Sequence, residues 1–304
     1  MTELILHHFD ASPFAEKIRL VLGFKGLAWR SVQIPMMMPK PDLTVLTGGY
    51  RKTPVMQIGA DIYCDTRRIA IELERRHPHP SLFPGGNFGL SLVMGSWSDR
   101  TFFEPGAALS MGTNPELPEA ILKDRMAFFD FMDFNTLPAR LTHLYGQLRS
   151  QAALIETQLL DGRAYLLGAE PGWADILAYF PVWMARANVA DIGQLFTGMR
   201  HMSAWESRVE SWGHGTRTEM DSQEALRTAF ESNSGTPAQV DPDDPLKLAA
   251  GQRVSVSPDD YGVVPATGDL LRLTVNEIAI CREHPRIGQV VVHFPRSGYC
   301  VEAA

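Results

Sequence analysis

The stretch from Ile5 to Leu27, ILHHFDASPFAEKIRLVLGFKGL, limits the possible folds of this chain more than any other. An apolar run of strand length, Leu4 to Leu6, leads through a short turn to Ser12-Pro13, where a helix is expected to start, ending at Gly26. Ser is a good N-cap because its side-chain oxygen accepts an orphan N–H of the first turn. Pro suits the first helical position because the N–H it lacks has no partner there. Phe14, Ile18, Val21 and Leu22 recur on one helical face, with Lys25 and Gly26 as the charge and left-handed stop of a C-terminus. The pattern places a hydroxyl at the positive end of a helix, at the carboxyl edge of a strand.

Such a hydroxyl suits the holding of a thiolate that would otherwise be protonated. A free thiol titrates near a pKa of about 8.5. A helix N-terminus contributes about 0.3–1 kcal/mol toward an anion and a hydrogen bond to a charged group about 1.5–3 kcal/mol. Together these lower a pKa by about one to three units, enough for mostly thiolate at neutral pH. Taken alone, Ser12 is also a plain N-cap, the commonest role of Ser at that position.

FDASPFAEKIRLVLGFKGL resembles the start of the cytosolic glutathione transferases, most closely the plant tau and omega types, in which a Ser or Cys directly before Pro-Phe touches the glutathione sulfur. Further on, YRKTPVMQIGADIYCDTRRIAIELERR resembles that family's cis-proline loop, hairpin and acidic–hydroxyl pair opening the next helix. The resemblance implies that glutathione is the co-substrate and that Ser12 donates a hydrogen bond to its sulfur, with Phe14 beside it. It implies a cis Thr53-Pro54 peptide, with the Thr53 backbone pairing with the glutathione cysteine. Asp65 then faces the γ-glutamyl ammonium, and Thr66 with the helix N–H groups holds its carboxylate. Without the resemblance Asp65 is a helix cap. For the glycyl carboxylate the family often uses a cation before the cis-proline; Lys40, Arg51 and Lys52 are the candidates, and Lys52 is counted with the site.

At 304 residues and 45% hydrophobic, the chain is long enough for two or three domains. A net charge of -7 gives no basic footprint, which argues against nucleic acid as a partner. Cys64, Cys281 and Cys300 show neither CxxC nor metal spacing, as suits a reducing compartment. The opening MTELILHHFD lacks the basic and long apolar regions of a signal peptide, and the apolar segment Ile176 to Ala187 is too short to span a bilayer. A cytoplasmic protein without a membrane partner is expected.

Ala28 to Ile34, Val55 to Ile58 and Ile62 to Cys64 read as strands, with the proline-broken PMMMPKP between the first two as loop. Asp65-Thr66 opens a helix to about Arg76, and HPHPSLFPGG is a linker. From Phe88 to Ser232 the period is helical, including Glu119 to Phe134 and Pro138 to Leu160. In LLGAEPGWADILAYFPVW, Asp175 matches the family's buried capping motif, but Gly172 stands where that motif has Ser or Thr, a weaker cap. Phe102, Phe103 and Met111 read as core before they read as a lining for substrate. NSGTPAQVDPDDP is a second linker, after which Arg253 to Ser257, Leu270 to Val275, Glu277 to Cys281 and Gln289 to Phe294 are short strands.

The expected fold is α+β: a thioredoxin-like domain over residues 1–79, an all-helical glutathione-transferase-type domain over 88–232, and a small antiparallel β domain over 246–304. The last lies outside the resemblance and is expected to dock on the helical domain. The expected function is a glutathione transferase, a homodimer by resemblance, joining the glutathione thiolate to a small electrophile in the cleft between its first two domains. The alternatives are a non-catalytic interaction module of the same fold and a glutathione-dependent isomerase.

Overall fold

The strand and helix expected at the start are present in the computed structural model, which describes residues 3–114 and 117–304. Strand β1 covers Ile5–His8 and helix α1 Pro13–Phe24, followed by Gly26 in the left-handed region at φ 62°. Next come β2 (Ala28–Gln33), α2 (Pro41–Thr47), β3 (Val55–Ile58), β4 (Asp61–Cys64) and α3 (Thr66–Arg76). β1 pairs parallel with β2 and antiparallel with β3, and β3 pairs antiparallel with β4. This is the thioredoxin-like sheet. Every residue of β1, β3 and β4 is buried, as befits strands covered on both faces.

By its internal contacts the chain divides into two units. The segment through Ile18, Leu27–Glu72 and Thr216–Ala304 form one, and Arg19–Gly26 with Leu73–Gly215 form the other. The second unit is helical: α4 (Phe88–Ser96) passes through wide π-type turns over Trp97–Phe102 into α5 (Phe103–Gly112), followed by α6 (Glu119–Phe128), α7 (Leu137–Gln158), α8 (Trp173–Asn188), α9 (Ile192–Leu195) and α10 (Arg200–Glu210). α6 stops six residues short of the expected Phe134, because Phe129 is extended and Asp133 then turns the chain by accepting the Asn135 N–H at 3.0 Å. α8 is buried from Trp173 to Val182, and Phe102 and Phe103 are core. No helix among the described residues is long and apolar enough to cross a membrane.

The C-terminal part departs from expectation. β5 (Thr216–Glu219) pairs parallel with β2, and α11 (Ser222–Phe230) and β6 (Gln239–Val240) lead to β7 (Arg253–Pro258), β8 (Ala266–Leu273), β9 (Glu277–His284), β10 (Gly288–Pro295) and β11 (Tyr299–Ala303). The last five form an antiparallel sheet, but β10 also pairs parallel with β4, Val291 opposite Asp61 and His293 opposite Tyr63. One sheet therefore runs β11-β7-β8-β9-β10-β4-β3-β1-β2-β5. In place of a separate domain on the helical unit, residues 246–304 extend the thioredoxin-like sheet. The physical reason is the β4 edge, a row of unpaired N–H and C=O groups that β10 satisfies. Leu43, Leu46, Val55 and Ile62 share one apolar core with Leu270, Ile280, Val292 and Phe294. The expected linker is likewise packed down, Ser234 and Thr236 donating to Asp61 Oδ1 at 2.6 and 3.0 Å.

Candidate functional site

Strand register brings three sequence segments to one edge of the sheet. His7 lies opposite Val55 and Val55 opposite Cys64, so the end of β1, the start of β3 and the end of β4 are neighbours. Phe9–Ser12 follow β1, Thr53–Pro54 lead into β3, and Asp65–Thr66 follow β4. The Thr53–Pro54 peptide is cis.

Ser12 is buried, and its Oγ accepts the Ala15 N–H at 3.2 Å, so it is the N-cap of α1. Acting as an acceptor toward the helix, the hydroxyl keeps its proton to give. One turn on, Lys17 lies fully buried with its ammonium 4.6 Å from the centre of the Phe14 ring, and it donates to Thr66 Oγ1 at 3.1 Å. Thus Ser12, Phe14 and Thr66 are joined through α1 to the N-terminus of α3.

Asp65 stands at φ 75°, a left-handed conformation that Asp tolerates better than most residues and that often marks a functional position. Its Oδ1 accepts the Arg67 N–H at 2.8 Å and caps α3, while its Oδ2 lies 3.2 Å from the Tyr299 hydroxyl. Of the three candidate cations, Lys40 reaches Thr53: its Nζ donates to Thr53 Oγ1 at 2.9 Å and to the Arg51 carbonyl at 3.0 Å. Lys52 forms an ion pair with Asp260 in the β7–β8 loop and lies 4.3 Å from the Tyr261 ring centre. On the β2 side, Arg217 of β5 holds Asp10, two residues before Ser12, at 2.8 Å.

Three groups at this edge were not read from the sequence. Lys17, one turn into α1, and Tyr50 and Tyr299 stand at no position to which the sequence motifs assign a role. Burial raises both phenols well above their usual pKa, so they stay protonated donors. Burial also lowers His7, in mid-strand, to about 4 despite its bond to Gln57, which keeps that imidazole neutral.

Comparison with known proteins agrees with this arrangement. The family model described as glutathione S-transferase, N-terminal domain, matches residues 6–81, and that for the glutathione S-transferase C-terminal domain matches residues 141–212. A GST-like protein from Pseudomonas syringae is 35% identical, with each chain covered in full and a TM-score of 0.80. A glutathione S-transferase from Rhodospirillum rubrum is 20% identical over 68% of this chain and 88% of its own, with a TM-score of 0.53. The Tau class enzyme of mango is 14% identical over 69% and 89%, also with a TM-score of 0.53. These last two are likenesses of fold. Among curated proteins, none matches the chain. The chain belongs to the glutathione S-transferase family and carries a further C-terminal β-rich region, which the P. syringae protein also spans.

Proposed function

We propose that the protein is a transferase that joins the thiolate of glutathione to a small electrophile. The observation that carries this is the meeting of Ser12 at the N-terminus of α1 with the cis Thr53–Pro54 bond and Asp65–Thr66 along one sheet edge. Ser12 donates its proton as a hydrogen bond to the sulfur, and the helix N-terminus adds its positive end. Thr53 pairs its backbone with the cysteine of the tripeptide, at the turn that Pro54 sets, while Phe14 packs beside it. Thr66 and the first N–H groups of α3 hold the γ-glutamyl carboxylate, and Asp65 faces the ammonium. Lys52, with Lys40 beside Thr53, serves the glycyl carboxylate.

With an aryl halide the thiol first loses its proton to solvent. The thiolate then forms an S–C bond with its own electron pair, and the C–halogen bond breaks with the halide taking its pair. The protein lowers the thiol pKa and brings the reactants together. Because Ser cannot form a mixed disulfide, conjugation is favoured over disulfide reduction. By family resemblance the protein is further proposed to be a cytoplasmic homodimer, which light scattering tests.

The direct test compares turnover of an aryl halide by the protein and by Ser12→Ala at saturating glutathione. A fall of roughly 10–1,000-fold is expected if the hydrogen bond and its effect on the thiolate are lost. Equal turnover would remove Ser12 from the mechanism. Retention on immobilised glutathione separates this reading from that of an interaction module.

A further inference from the structure

Tyr299, the first residue of β11, belongs to the region beyond the family match, yet it reaches Asp65. Its hydroxyl lies 3.2 Å from Asp65 Oδ2 and 3.1 Å from the Tyr50 hydroxyl. Each phenol has one proton and both rings are buried, against each other and against Phe294 at 5.4 and 5.9 Å. The arrangement that satisfies all three groups has Tyr50 donating to Tyr299 and Tyr299 donating to the carboxylate, the charged acceptor. With Oδ1 on the Arg67 N–H, Asp65 is then held at both oxygens on a backbone already fixed at φ 75°.

The same region holds the preceding loop. Arg282 of β9 donates to the Val45 and Leu46 carbonyls at the end of α2, and Asp260 pairs with Lys52. We propose that Tyr299 is a positioning residue for recognition of the ligand's ammonium group. It fixes the direction of the Asp65 carboxylate, so the C-terminal strands are part of the substrate site and not a separate module. This rests on the assignment of Asp65 to the γ-glutamyl ammonium made above.

The test uses the full chain and two ligands, glutathione and its deaminated analogue in which glutaryl replaces γ-glutamyl, with calorimetric affinities for the protein and for Tyr299→Phe. Phe keeps the ring and its packing and deletes only the hydroxyl. The wild-type protein is expected to favour glutathione, and Tyr299→Phe to lose about tenfold of that preference, the scale of one hydrogen bond to a charged group. Its affinity for the deaminated analogue should stay the same. A merely structural role would weaken both ligands equally, and that result, or an unchanged preference, overturns the proposal. Should Tyr299→Phe fail to fold, Tyr50→Phe removes the donor behind it and is expected to cut the preference about twofold to threefold; no change there overturns it as well. If the unmutated protein binds neither ligand, the glutathione reading itself falls and this inference with it.

Discussion

Lys17 is tied to Thr66: the ammonium of a fully buried lysine in α1 donates to the hydroxyl that opens α3, at 3.1 Å. A lysine is almost never so buried unless paired, because its desolvation must be offset. Placed there, the cation reinforces the positive end of α3 just where the γ-glutamyl carboxylate is proposed to bind. Thr66→Val takes away both the hydroxyl for the ligand and an acceptor for Lys17. The KM for glutathione should rise about tenfold and stability fall by about 1–2 kcal/mol, with kcat at saturating glutathione little changed. Thr66→Ser should behave like the parent. Steady-state kinetics and urea unfolding check both, and an unaltered KM in Thr66→Val would take Thr66 out of the ligand site.

In the helical unit Asp175 does the work of a cap from inside the helix. Its Oδ1 accepts the Leu166 N–H at 2.9 Å and the Trp205 Nε1–H at 2.8 Å, and its Oδ2 accepts the Gly172 N–H at 3.0 Å. Burial raises its carboxyl above the usual range even against those bonds. Asp175→Ala strands three buried donors and should cost about 3 kcal/mol or more. Gly172 does not stand there merely as a weak cap, since a Cβ on it would come within 2.8 Å of the Leu82 carbonyl. Gly172→Ser is therefore expected to destabilise the protein, although serine at an N-cap ordinarily helps. Denaturant midpoints decide both, and a more stable Gly172→Ser would refute the close-passage explanation.

What was legible in the sequence was local. Ser12, Pro13 and Gly26 act within a turn of where they stand, and Gly59-Ala60 turns β3 into β4, so the start of the fold and most of its site motifs could be read off. Helix α2 was missed because it follows a proline-broken loop and its N-cap, Lys40, makes no side-chain capping bond. Tyr299 was missed because its partner is 234 residues away and β11 is a short strand of five residues. Two signals for the C-terminal docking were nonetheless present. Val290-Val291-Val292 runs apolar without alternation, the pattern of a strand inside a larger sheet, and the Gly48-Gly49 pair stands where another part of the chain comes close.

Gly48 shows what that closeness requires. It sits at φ 79°, and a Cβ there would lie 2.4 Å from Arg282 Nε. That guanidinium also donates to the Thr267 carbonyl at 3.2 Å while its Nη1 donates to the Val45 carbonyl at 3.1 Å, so it cannot move aside without losing bonds. Gly48→Ala carries the left-handed strain of about 1–2 kcal/mol plus the displacement of Arg282. In an Arg282→Met background the second cost vanishes, so the two substitutions should be less than additive by about 1 kcal/mol. A double-mutant cycle of unfolding free energies measures this, and simple additivity would mean that the two residues do not compete for the same space.

Where β4 and β10 join, His293 lies between two carboxylates, Nδ1 2.8 Å from Glu277 Oε1 and Nε2 2.9 Å from Asp61 Oδ1, stacked on Tyr63 at 4.5 Å. Arg68 adds its guanidinium to Glu277 at 3.1 Å and to Glu72 at 3.2 Å. Burial opposes ionisation of both acids. For Asp61 the hydrogen bonds from His293, Ser234 and Thr236 and the His293 charge outweigh it, and for Glu277 the His293 bond and the charges of Arg68, His293 and Arg272 do. Both carboxyls are thus held below their usual values. A carboxyl that is more acidic when folded adds stability above its unfolded pKa, near 4 for these types, and loses it as pH falls through the folded value. Unfolding free energy should therefore decline steeply below about pH 4, and the decline should be shallower in Asp61→Asn or Glu277→Gln, each less stable than the parent at pH 7. Denaturant titrations from neutral pH into acid give the curves. Parallel acid limbs in parent and variants would show that this junction does not set the acid sensitivity of the sheet.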